Sequence, residues 1–171
     1  MSHNKPVQGY FNTPPLRYVG AKWQIADWII SKFPVHKIYI EPYAGSGAVF
    51  FRKPKTHLEV LNDIDSSVVN FFRVLRERTT ELAMAIELTP YSREEYELSL
   101  QPCDCDELER ARRFYISAWQ SFGSTMIYRS GWRRMTKSEM WKSLTAQFMN
   151  EQHTTTNLHT CQWHRVDCQQ C

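Results

Sequence analysis

The sequence predicts an α/β fold: part of a parallel sheet carrying a helical insertion. Three observations lead there. Two short runs of β-forming residues, 37–41 and 58–61, flank a glycine turn and a short helical stretch. Helical periodicity follows from Asp65, completing a strand–turn–helix–strand–helix order that belongs to parallel sheets. After Pro90 no convincing strand is readable as far as residue 150, and amphipathic helix takes over.

Each element has a local cause. Ala26, Ile29, Ile30 and Phe33 fall at helical spacing within 21–33, and Pro34 stops the pattern. Lys37-Ile38-Tyr39-Ile40-Glu41 reads as a strand. Pro42 to Gly47 is a tight turn, and Ala48 to Arg52 opens a helix. Leu58-Glu59-Val60-Leu61 is the second strand, closed by Asn62-Asp63. Val68, Val69, Phe72 and Leu75 form an apolar stripe that predicts one helix running on toward Leu88. Leu108, Ala111, Tyr115, Trp119 and Phe122 predict another, with Tyr115, Trp119 and Phe122 as core. A basic loop over 123–136 and a helix over 137–149 follow.

Composition narrows the class. The chain has 171 residues, 42% of them hydrophobic, which supplies a real core and argues against disorder. Lys+Arg of 21 against Asp+Glu of 18 leaves a net charge of +3. That is too mild for a basic tail, but it suits an enzyme whose cations gather on one face. The apolar stretch Ile25 to Ile30 is far short of the roughly 20 residues that a membrane helix needs. The first residues lack the apolar core of a signal peptide, so the expected location is the cytoplasm.

The stretch from Ile38 to Asp65 carries the chemistry. A strand runs into Glu41-Pro42-Tyr43-Ala44-Gly45-Ser46-Gly47, then a helix, then a strand ending in an acid. Glycine lets the backbone approach a bulky ligand, and the helix N-terminus offers free N–H groups. Asp63 follows Gly45 by 18 residues, close to the ~20 expected of an acid that grips ribose hydroxyls. Phe50 stands where a dinucleotide fingerprint has its third glycine. That favours S-adenosylmethionine over NAD, since no pyrophosphate needs a cradle.

Three segments occur in order: Pro15-Leu16-Arg17-Tyr18-Val19-Gly20-Ala21-Lys22-Trp23, then Glu41 to Phe50, then Leu61-Asn62-Asp63-Ile64-Asp65. Together the sequence resembles the Dam-type adenine-specific DNA methyltransferases, closely over 14–78 and loosely over 79–150. The resemblance implies a partial Rossmann-like methyltransferase sheet with a helical target-recognition insertion. It implies S-adenosylmethionine as cofactor, double-stranded DNA as partner, and no membrane. A cognate restriction endonuclease is the protein partner of one such setting. Tyr18 and Lys22 would line the methionine and adenine side of the cofactor. Glu41, Tyr43, Gly45 and Gly47 would form the turn beneath it. Asp63 would accept from the ribose hydroxyls, and Ile64 would flank the adenine.

The family's Asp-Pro-Pro-Tyr motif, which would hold the acceptor amine, is absent from the sequence. Asn12-Thr13-Pro14-Pro15 is an echo that precedes the cofactor turn and lacks the aromatic. The catalytic residues are therefore unassigned. A full sheet of about seven strands needs on the order of 150 residues by itself. The sequence thus reads as a flexible leader over 1–15, a cofactor-binding half over 16–90, a helical DNA-recognition region over 91–150, and an atypical or truncated tail over 151–171. Two other readings stay open at this level: a non-catalytic remnant that binds cofactor or DNA, and half of an NAD-type oxidoreductase.

Arg129, Trp132, Arg133, Arg134 and Lys137 form a cationic loop with no acid between Arg129 and Lys137, suited to phosphate contacts. The five cysteines are expected to be reduced. Cys161, His164, Cys168 and Cys171 have spacing that could hold zinc, or arise by accident in an odd tail. No metal is assigned.

Overall fold

The computed structural model describes residues 14–122, 131–133 and 162–163. A 3-10 turn at Trp23–Ile25 leads into α1 (Ala26–Ile30). Then come β1 (Ile38–Glu41), α2 (Ala48–Arg52) and β2 (Leu58–Leu61). Four helices follow: α3 (Ser66–Glu77), α4 (Thr79–Glu87), α5 (Arg93–Ser99) and α6 (Glu107–Gln120). The last element is β3 (Gln162–Trp163).

β1 and β2 pair in parallel, with Ile38 opposite Leu58 and Glu41 opposite Leu61. β3 adds to the far side of β2, also in parallel, with Val60 opposite Gln162. The sheet order is β1-β2-β3. Both short strands and α2 lie within a residue of their expected places. β3 was not expected, because its two residues carry no period of their own and are placed by the ladder of β2.

The single helix expected from Asp65 toward Leu88 is in fact two. The backbone leaves helical geometry at Arg78, with φ −134° and ψ 41°. The apolar stripe survives the break: Leu75 lies before it and Leu82 and Ile86 after it, all buried. Periodicity alone therefore could not reveal the interruption. Asp65, Ser92 and Asp106 cap α3, α5 and α6, each accepting a backbone N–H from two or three residues on.

The core lies where α3 packs on α6. Phe71 stacks on Tyr115 with ring centroids 6.0 Å apart and an interplanar angle of 12°, and also meets Phe72 and Phe114. Tyr115 is fully buried and Trp119 nearly so, as the periodicity predicts. Phe122 is 71% exposed, against expectation. The reason is local. Ser121 is extended at ψ 144°, so the helix has ended and the face carrying Tyr115 and Trp119 does not continue to Phe122. Arg112 ties three helices together, donating to Glu109 of its own helix, Glu95 of α5 and Thr89 after α4. Among the described residues no helix is long and apolar enough to cross a membrane. Cys103 and Cys105 are joined as a disulfide, where free thiols were expected.

Candidate cofactor cleft

The site forms at the carboxyl ends of β1 and β2, where a parallel sheet opens its crevice. The two strands are stitched there by backbone bonds from Asn62 N to Glu41 O and from Ala44 N to Asn62 O. The turn then reverses at Gly45 (φ +49°) and Gly47 (φ +66°). At Gly47 a Cβ would lie 2.7 Å from the Phe51 ring, so a side chain there is excluded by space as well as by conformation. At Gly45 a Cβ would come to 3.1 Å from the Tyr18 ring.

Asp63 locks this turn from the neighbouring strand. Its Oδ2 accepts the Gly45 N–H at 2.8 Å, and its Oδ1 accepts the Asp65 N–H at 3.0 Å. Each oxygen keeps a further lone pair for another donor. Tyr18 crosses above the turn, its hydroxyl 3.5 Å from Asp65 Oδ2. Burial, aided by the charges of Asp65 and Asp63, pushes the Tyr18 phenol up to about 12. Tyr18 is therefore a neutral donor at physiological pH.

Together these residues enclose a cleft of about 230 Å³. Tyr18, Lys22, Glu41, Tyr43, Gly45 and Asp63 all line it, joined by Val19, Gly20, Ala21, Ser46 and Val49. Gly47 shapes the turn from behind and is buried. Ile64 is 78% exposed and stands outside the lining. Lys22 extends its ammonium to within 3.3 Å of the Gly20 carbonyl. Glu41 sits low in the cleft and accepts from the Tyr39 hydroxyl at 2.8 Å. Burial raises its carboxyl to about 7, against the lowering influence of the Tyr39 and Phe50 hydrogen bonds and of Lys53 and Lys22.

The donor set fits an amino-acid-bearing nucleoside. Glu41 offers a carboxylate to an ammonium, Lys22 a cation to a carboxylate, and Asp63 spare lone pairs to hydroxyls. Phe50 is 5% exposed and packs edge-on against Phe51, with ring centroids 5.0 Å apart. Sequence reasoning missed Tyr39 and Asp65 here. Two signals could have found them: strand alternation puts Tyr39 on the same face as Glu41, and Asp65 occupies a helix N-cap position.

Beyond the end of α6, the expected cationic loop is described at two of its five positions. Trp132 donates its indole N–H to Gln120 Oε1 at 3.0 Å. It also packs near Tyr91 and under the Arg93 guanidinium, at 5.7 and 5.8 Å. Arg133 N donates to Gln120 O at 2.7 Å, Phe122 N donates to Gly131 O at 2.9 Å, and Ser121 bridges Trp132 in antiparallel fashion. The two ends of the intervening segment are thus clamped side by side. Arg129, Arg134 and Lys137 lie outside the described residues, as do Cys161, His164, Cys168 and Cys171. Among the described residues no cluster of His, Cys, Asp and Glu could hold a metal ion.

A short parallel α/β sheet with a glycine turn locked by an acid of the next strand is a partial Rossmann-like fold. Residues 18–162 match the family model of the D12 class N6 adenine-specific DNA methyltransferases. The chain belongs to that family. It is 29% identical over 70 residues to the DNA adenine methylase of Escherichia coli K12, covering 41% of this chain and 25% of that protein. The match to the DNA adenine methylase of Serratia marcescens is 25% identical over 114 residues, covering 67% of this chain and 37% of that protein. That of Salmonella typhi matches at 29% over 70 residues. The chain thus spans between a quarter and somewhat over a third of these relatives' length.

Proposed function

We propose that this chain binds S-adenosylmethionine in the cleft between Tyr18, Glu41 and Asp63 and serves N6-adenine methylation of double-stranded DNA. The observation that carries the reading is the lock from Asp63 onto Gly45, with Glu41 and Lys22 in the same cleft. The bound cofactor supplies the methyl group. Glu41 would hold its ammonium, Lys22 its carboxylate, and Asp63 its ribose hydroxyls through the lone pairs that the backbone leaves unused. Ile64, exposed at the tip of β2, would cover the adenine once it is seated. Arg129, Arg133, Arg134 and Lys137 would contact DNA phosphates, with Trp132 as the anchor of that loop. The setting is cytoplasmic, in DNA protection or restriction–modification, with a cognate restriction endonuclease as the protein partner to look for.

Acceptance of the methyl by adenine needs groups that bind the exocyclic amine and stack on a flipped base. The family's motif for this is absent from the sequence. A binding role in cofactor or DNA capture is therefore the second reading. Calorimetry with S-adenosylmethionine and with NAD tests the first claim: binding of the former alone is expected, and binding of NAD alone would overturn it. Labelled methyl transfer to duplex DNA separates the two readings. None is expected from this chain by itself, and robust transfer would show that other residues supply the chemistry.

A further inference from the structure

Glu41 is held from below by a chain of buried groups. Tyr39 and Glu41 are two apart on β1, so both side chains leave the same face of the sheet. The Tyr39 hydroxyl donates to Glu41 Oε2 at 2.8 Å. Over the Tyr39 ring sits the Lys53 ammonium, 4.4 Å from the centroid. Lys53 is buried, with 1% of its side chain exposed, and is paired with Glu59 of β2. It also donates to the Pro54 carbonyl at 3.2 Å. Glu59 in turn accepts from the N–H and hydroxyl of Thr56. Phe33 and His36 pack around Tyr39, at 5.8 and 6.3 Å between centroids. A cation on the ring face withdraws electron density from the phenol and strengthens its hydroxyl as a donor.

We propose that Tyr39, braced by Lys53, is a positioning residue that favours the ionised form of the Glu41 carboxyl and aims it at the ammonium of an amino-acid-bearing cofactor. The inference rests on the cofactor reading above and adds the residue that makes Glu41 fit for its part in it. The groups facing Glu41 are Tyr39 from β1, the Phe50 N–H from α2, Lys53 beyond α2, and Lys22 from the segment before α1, with Glu59 neutralising Lys53. Burial favours the protonated acid, and the Tyr39 hydroxyl is the largest influence against it. A neutral carboxyl would offer a cationic amine no charge.

The test is a carbon-13 titration of the glutamate carboxyls in the full chain, with Glu41 identified by the loss of its signal in Glu41→Gln. Tyr39→Phe is expected to raise the Glu41 midpoint by about one pH unit. The double variant Lys53→Met, Glu59→Gln is expected to move it the same way by less. In parallel, calorimetry with S-adenosylmethionine should show an affinity loss of about tenfold for Tyr39→Phe below the midpoint, recovering as pH rises through it. An equal loss at every pH, with an unmoved midpoint, is the signature of a merely structural residue and overturns the inference. A wild-type chain that fails to bind S-adenosylmethionine while Tyr39→Phe still moves the midpoint overturns the cofactor reading instead, and leaves the hold of Tyr39 on Glu41 standing.

Discussion

The carboxylate of Asp63 and the backbone N–H of Gly45, 18 residues apart, meet at 2.8 Å. The acid at the tip of β2 thus fixes the shape of the turn that follows β1. An acid at this place is read from sequence as a ligand for hydroxyls. Here it also builds the wall opposite.

Asp63→Asn should impair both tasks at once. Asparagine keeps one carbonyl oxygen, so one of the two backbone donors at Gly45 and Asp65 loses its acceptor. A loss of about 1–3 kcal/mol in stability is expected from the unsatisfied donor. Cofactor affinity should fall by about tenfold or more, since the charge on the acceptor is gone. Thermal melts and calorimetry on the same preparation measure both.

The three left-handed glycines among the described residues should rank by what surrounds them. Gly20→Ala has φ +72° but open space, and should cost about 1 kcal/mol. Gly47→Ala adds a Cβ at 2.7 Å from the Phe51 ring, and should cost about 2–4 kcal/mol. Gly45→Ala meets the Tyr18 ring at 3.1 Å, which can yield by tilting. Its main effect should appear in cofactor affinity, because Tyr18 lines the cleft. Denaturant titrations of the three variants would show the order, and Gly20→Ala as the costliest would contradict it.

Stability should depend on pH through two carboxyls of opposite sign. Burial raises Glu41 from 4.5 to about 7 in the folded protein. The stability it contributes is full below its unfolded value and is lost as pH rises through about 7. The Arg112 hydrogen bond, with Arg113 assisting, holds Glu109 near 2, below its ordinary 4.5. Its contribution is present above 4.5 and is lost as pH falls through about 2. Melting temperature against pH should therefore fall on both sides of about 4.5 from these two groups. Glu41→Gln should flatten the neutral limb and gain on the order of 2–3 kcal/mol near pH 8. Glu109→Gln should flatten the acid limb and leave the neutral one.

The clamp at Trp132 yields a prediction about DNA. Arg133→Ala with Arg134→Ala should weaken DNA binding and reduce the slope of log affinity against log salt by about 2. Gln120→Leu removes the acceptor of the Trp132 indole. It should weaken binding without changing that slope, because it loosens the loop and removes no cation. A changed slope in Gln120→Leu, or an unchanged one in the double arginine variant, would dissociate the loop from the interface.

Much of the candidate cleft was legible in the chain. The Glu41–Gly47 turn and Asp63 follow from glycine spacing and strand ends, which are local properties. What stayed hidden depends on distant partners. The break at Arg78 leaves no mark on the apolar stripe. α5 buries only Tyr96, so its sequence shows almost no face. β3 exists by virtue of the β2 ladder. Trp132 reads as an exposed aromatic in a basic loop until Gln120 and Tyr91 are seen beside it. Nothing in the sequence around Lys53 marks it for burial, yet it is buried against Glu59.

The order of synthesis gains meaning from the lock between Gly45 and Asp63. The bonds that shape the cleft floor join residues close in the chain, and its Tyr18 roof precedes them. The 18-residue span from Gly45 to Asp63 is a modest loop to close, but pairing the parallel strands β1 and β2 is a slow, non-local step. The turn takes its shape once both strands are paired, since its lock comes from the tip of β2. A ligand held by this turn would bind the folded chain and not the unfolded one, and so would raise its melting temperature.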